Sequence, residues 1–128
     1  MPHLTMYALE SDLTGAEPDL IAALTDAVVA VYGDWARESV VVLLIGLPAN
    51  RCGVGGKVAA SPAPHVTFGI RATVFDRPDA SDVLSRLAAG VTDAIATVLG
   101  EQLRPGVTVQ FAGEPEGHTA VGGTLVTH

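Results

Sequence analysis

Two tandem strand-helix-strand units, an α/β (α+β) fold, are predicted by three features of this 128-residue chain: an internal repeat, a change of hydrophobic spacing inside each repeat, and glycines placed to stop helices. Pro2-His3-Leu4-Thr5-Met6 returns as Pro64-His65-Val66-Thr67-Phe68, Thr25-Asp26-Ala27 as Thr92-Asp93-Ala94, and Val54-Gly55-Gly56 as Val121-Gly122-Gly123. From Thr25 onward the offset stays at 67, whereas at the start it is 62, so five extra residues are expected before the second helix. One domain over residues 1–128 is expected, with repeats at about 2–60 and 64–126.

The elements follow in order. His3 to Leu9 mixes Thr and Tyr with apolar residues over a short span, which suits a strand. Leu20, Leu24, Val28 and Val31 then recur at helical spacing. Thr14 to Glu17 is one start signal and Glu17 followed by Pro18 another; Gly33 is the stop. Val40 to Ile45 is apolar throughout, as in a strand buried on both faces. In the second copy, His65 to Phe75 is the first strand. Pro78 opens a helix carrying Leu84, Leu87, Val91, Ile95 and Val98, Gly100 ends it, and Val107 to Ala112 is the last strand. The result is a four-stranded sheet with two helices on one face. The other face carries apolar side chains with no sequence left to cover them, which predicts self-association through the sheets.

Composition narrows the function. Apolar residues make up 48% and charged residues 16%, so the chain can bury a core. A net charge of −7 disfavours nucleic acid and anionic membrane as partners. The longest apolar run, Val40 to Ile45, is far too short for a membrane span, and no basic-then-apolar leader is evident, so a cytoplasmic location is expected. A single cysteine, Cys52, excludes an internal disulfide and a thiolate-rich zinc site. The four histidines form no His-x-x-His or His-x-x-x-His pair; no metal or cofactor is expected.

Proline follows Met1, so removal of Met1 would leave Pro2 as a terminal secondary amine. An α-amino group has a reference pKa of about 7.7–8, which burial or a nearby cation lowers toward neutrality, where it can act as a general base. Seven basic residues, Arg37, Arg51, Lys57, Arg71, Arg77, Arg86 and Arg104, are the only cations available to a carboxylate substrate. Arg71 stands between apolar Ile70 and Ala72, Arg51 precedes the Gly-rich turn, and Arg77 is expected to cap a helix rather than reach a substrate.

The Met-Pro start, the strand-helix-strand repeat and Asn50-Arg51-Cys52-Gly53-Val54-Gly55-Gly56 together resemble the tautomerase superfamily. Its founding member is 4-oxalocrotonate tautomerase. The chain resembles the fused, double-length form, related to the isomerase and cis-3-chloroacrylate dehalogenase groups. The resemblance implies a homotrimer and a keto-enol tautomerase in which the amino-terminal proline is the base acting on a small enolisable keto or dienol acid. The superfamily's arginines hold the substrate carboxylate. Asp12 and Val41 stand here where 4-oxalocrotonate tautomerase has arginines, and Cys52 where it has a pocket phenylalanine. Arg71, seven residues after Pro64, matches a substrate-binding arginine of the fused dehalogenases, and its mate in copy one is Leu9. Pro64 is an internal amide, so one of the two related sites can work, combining Pro2 with Arg71. Arg51, Cys52, Leu9 and His118, the repeat mate of Arg51, complete the substrate-binding candidates. A hydratase-type dehalogenase or decarboxylase is the alternative enzyme, weakened because Thr119-Ala120-Val121 stands where those dehalogenases carry a glutamate. A non-catalytic ligand-binding trimer is the reading if Met1 is retained.

Overall fold

The computed structural model describes residues 2–127. Chain order is β1 (His3–Leu9), α1 (Glu10–Leu13), α2 (Glu17–Tyr32), β2 (Val41–Leu47), β3 (Gly53–Val54), β4 (Lys57–Val58), β5 (His65–Arg71), α3 (Ala80–Leu99), β6 (Thr108–Glu114), β7 (Ala120–Val121) and β8 (Thr124–Leu125). Short 3₁₀ turns follow α2, β5 and α3.

Both repeats contribute to one four-stranded sheet, ordered β2-β1-β5-β6. Within each repeat the strands run parallel, and at the centre β1 and β5 run antiparallel, with Thr5 facing Thr67. Alternation puts Leu4, Met6 and Ala8 of β1 and Val66, Phe68 and Ile70 of β5 under the helices. There they meet Leu20, Leu24 and Val28 of α2 and Leu87, Val91 and Ile95 of α3, nearly all fully buried. A fully buried side chain of this size contributes about 1.5–3 kcal/mol by leaving water. The tilted rings of Phe68 and Phe111, with centroids 5.5 Å apart, tie β5 to β6.

The repeat extends to particular bonds. Gly33 N–H donates to Val29 O and Gly100 N–H to Ala96 O, both glycines having positive φ at their helix ends. Arg37 pairs with Asp26, and Arg104 with Asp93, the same residues 67 positions on. Each Gly-Gly pair, Gly55-Gly56 and Gly122-Gly123, turns a two-residue hairpin with both glycines at positive φ.

Several boundaries differ from expectation. The strand expected over His65 to Phe75 stops at Arg71, and a 3₁₀ turn spans Ala72–Asp76. The following helix starts at Ala80, not Pro78: Arg77 and Asp79 pair across the turn, and Asp79 O receives the first helical bond from Val83 N–H. Four of the five extra residues lengthen that helix, which has 20 residues against 16 in α2. At the start of α2, Pro18 lies in the first turn and Glu17 accepts a bond from Gly15 N–H at 2.7 Å, while Thr14 Oγ1 donates to Glu10 O. Within one chain β2 is not buried on both faces: Val41 is 41% exposed and Leu43 54%.

Candidate active site

Topology decides what surrounds Pro2. Antiparallel pairing sets His3 opposite Gly69 and so brings the start of β1 to the end of β5, where Ile70 and Arg71 stand. Because β1 and β2 are parallel, α2 must run back along the sheet and deliver its C-terminal end to the same edge. A cavity of about 550 Å³ lies there, lined by Pro2, Tyr32, Trp35, Ser39, Ile70, Arg71, Thr73, Val74, Arg77 and Val126. Pro2 is half-buried, and its carbonyl accepts a bond from Val41 N–H at 3.2 Å, which anchors the chain start to β2.

The cations of the cavity are in different states. Arg77 is committed to Asp79 through two bonds, Nε to Oδ1 at 2.8 Å and Nη2 to Oδ2 at 2.9 Å. The bidentate bond raises the Arg77 pKa and holds the Asp79 carboxyl below its ordinary range. Arg37, Arg86 and Arg104 also face acids, whereas Arg71 has no ion pair among the described residues. Its guanidinium is therefore the one on the cavity wall left available to an anion.

Tyr32 is the other polar group of interest. Burial raises its phenol pKa, and the nearby Arg77 charge opposes that only in part, so the group is a neutral hydrogen-bond donor near pH 7. Sequence reasoning missed Tyr32, Trp35, Ser39, Thr73 and Val126. The first three were within reach, because a helix returning between parallel strands must end beside the first strand's start. Arg77, expected only to cap a helix, lies on the cavity wall while bound to Asp79.

Of the candidates named from sequence, the cavity brings together Pro2 and Arg71. Leu9 ends β1 at the opposite edge of the sheet. Arg51 and Cys52 lead into the β3-β4 hairpin and do not line this cavity within one chain. His118 sits in the turn before β7, with its N–H bonded to Pro115 O. Pro64 is fully buried and its carbonyl receives Thr108 N–H, mirroring Pro2 without a free amine. A second concavity of about 600 Å³ between α2 and α3 is lined largely by alanines, and its acids Asp26 and Asp93 are held by Arg37 and Arg104.

The model of the Tautomerase family, described as tautomerase enzyme, matches residues 2–61, which is the first repeat, and the second repeat copies its topology. A fused 4-OT wild-type protein solved as an asymmetric trimer is 29% identical with a TM-score of 0.81, over 96% of this chain and 94% of that one. The first repeat belongs to the Tautomerase family, and the whole chain is similar in sequence and fold to fused, double-length 4-OT. Native fused 4-OT is 28% identical with the same coverage and a TM-score of 0.81. A member of the cis-3-chloroacrylic acid dehalogenase family is 20% identical over 97% of this chain and 82% of that one, with a TM-score of 0.73, and shares the fold. No curated protein matches significantly. Among the described residues, no helix is long and apolar enough to cross a membrane.

Proposed function

We propose that the protein is a keto-enol tautomerase acting on a small enolisable acid, with Pro2 as general base and Arg71 as carboxylate ligand. The observation that carries this reading is the shared cavity: the chain-start proline and the arginine without an ion pair line one space, at one sheet edge. The step needs no group beyond those present. The Pro2 nitrogen takes the enol hydroxyl proton, the electrons of the O–H bond form the carbonyl, and the C=C pair accepts a proton at carbon from the prolinium. Arg71 fixes the acid by a planar two-point contact, and Tyr32, neutral and donating, stabilises charge developing on the enolate oxygen. Apolar Ile70, Val74 and Val126 exclude water around these groups.

The amine requires loss of Met1, which lies outside the described residues. Intact mass of the natively expressed protein reports it directly. With Met1 absent, the protein should speed ketonisation of phenylenolpyruvate. Pro2→Ala should lower that rate by about two to four powers of ten, in the range of general-base contributions. A folded Pro64→Ala variant should retain it. Retained Met1, or full activity of Pro2→Ala, overturns the proposal. We also propose a cytoplasmic location and a homotrimeric assembly, the latter because fused 4-OT relatives 29% and 27% identical to this chain form trimers.

A further inference from the structure

The two repeats differ at three positions that fold to one place. Tyr7, Leu9 and Leu47 of copy one are replaced in copy two by Gly69, Arg71 and Glu114. All three lie at the ends of β5 and β6, which antiparallel pairing lays beside the start of β1. Gly69 is opposite His3, and Arg71 is the register partner of Glu114. Lacking a side chain, Gly69 lets two groups meet above it: His3 Nδ1 lies 3.0 Å from Glu114 Oε1. A Cβ at position 69 would collide with the His3 ring and come within 2.9 Å of Glu114 Oε1. In copy one the equivalent neighbours of His65 are Tyr7, across the strand pair, and Leu47, so the arrangement exists only at the Pro2 end.

Register partners on parallel strands project to the same face as neighbours. Arg71 and Glu114 are therefore placed to form an ion pair, yet Glu114 is turned across Gly69 to His3 and Arg71 is without an ion pair among the described residues. We infer that His3 is a positioning residue that holds Glu114 away from Arg71 and so keeps the guanidinium open to the substrate carboxylate. The inference rests on the reading that Arg71 binds that carboxylate. Without the His3 donor, Glu114 becomes an internal competitor for Arg71. It lowers affinity for the acid without touching the base.

The test is steady-state kinetics on phenylenolpyruvate with four variants. His3→Phe keeps a ring over Gly69 and removes the donor; KM should rise roughly two- to fivefold, the range of a partly exposed ion pair competing for Arg71. Glu114→Gln alone should leave KM unchanged or lower it. The double variant His3→Phe/Glu114→Gln should return KM to the wild-type value, since a neutral amide cannot compete for the guanidinium. That rescue is the deciding readout, because damage to β1 by His3→Phe would not be repaired at residue 114. If His3→Phe does not fold, Gly69→Ala displaces the His3 ring by another route, and its raised KM should be relieved by Glu114→Gln in the same way. Arg71→Ala separates the two readings. If it leaves KM unchanged, the carboxylate role of Arg71 fails. If it raises KM while His3→Phe is silent or Glu114→Gln gives no rescue, the positioning role of His3 alone is overturned.

Discussion

Arg71 and Arg77 lie on one cavity wall and differ in what holds them. A guanidinium already bound at both forks by Asp79 must break two charge-assisted bonds before it can serve a ligand, whereas Arg71 breaks no ion pair. Arg71→Ala should raise KM for an acid substrate by about one to two powers of ten. Arg71→Lys should recover part of that, since an ammonium lacks the planar fork. Arg86, half-exposed and 3.8 Å from Asp82, is the control, and Arg86→Ala should change KM little. Steady-state kinetics of the three variants decides this, and equal behaviour of the two alanine variants removes Arg71 from the site. Tyr32 carries a prediction that does not depend on turnover. Its phenol should ionise above 10.0, because burial outweighs the neighbouring Arg77 charge. The raised pKa means that the neutral form is favoured in the folded state. This contribution to stability is complete below pH 10 and disappears as the phenol ionises at higher pH. Phenolate absorbance in a Tyr7→Phe background, where Tyr32 is the only tyrosine, measures the midpoint.

At the scale of elements, the repeat carried most of what could be read from sequence. One offset held through helix, strand and turn, and the structure repeats the same Arg-Asp pair and the same glycine stop. Pro2 and Arg71 could be singled out as candidates, one from the chain start and one from its isolation among apolar residues, and they line one cavity; their roles are the proposal made above. Less legible were features fixed only when strands pair. His3 and Glu114 are 111 positions apart, and their contact depends on the register across Gly69. The 3₁₀ turn after β5 was hidden because Ala72-Thr73-Val74-Phe75 has strand composition, while its backbone curls so that Phe75 packs beside Gly113. The contact between α2 and α3 gives a further test. Gly90 lies inside α3, and a Cβ there would sit 3.4 Å from the Ala27 Cβ, in ordinary contact. Gly90→Ala should therefore stabilise the fold by about 0.5–1 kcal/mol, through lower backbone entropy in the unfolded chain and better helix propensity. An upward shift of the urea midpoint with an unchanged slope is the expected result.

For the molecule as a whole, the sheet face away from the helices is the unresolved energy term. Val41, Leu43 and Ile45 of β2 and Tyr7 of β1 stand on it at 37–54% exposure. On β6 the same face carries Thr108 and Gln110, both exposed and polar or half-polar. The face is thus graded from an apolar edge in copy one to a polar edge in copy two. A single chain leaves the apolar edge in water, at a cost of roughly 25 cal/mol for each Å² not buried. Packing several copies around an axis removes it, and closed cyclic symmetry is the arrangement that leaves no copy with an open edge. The exposed apolar edge calls for association, and the homotrimer proposed above sets the number at three. Light scattering on the natively processed protein should give three chains per particle at micromolar concentration. Leu43→Glu places a charge at the centre of the apolar edge, on the face opposite the core, and should shift the particle to a monomer while leaving the helical circular dichroism in place. A wild-type protein that stays monomeric at that concentration, or a Leu43→Glu variant that stays trimeric, would mean that the exposed edge of β2 is not the contact.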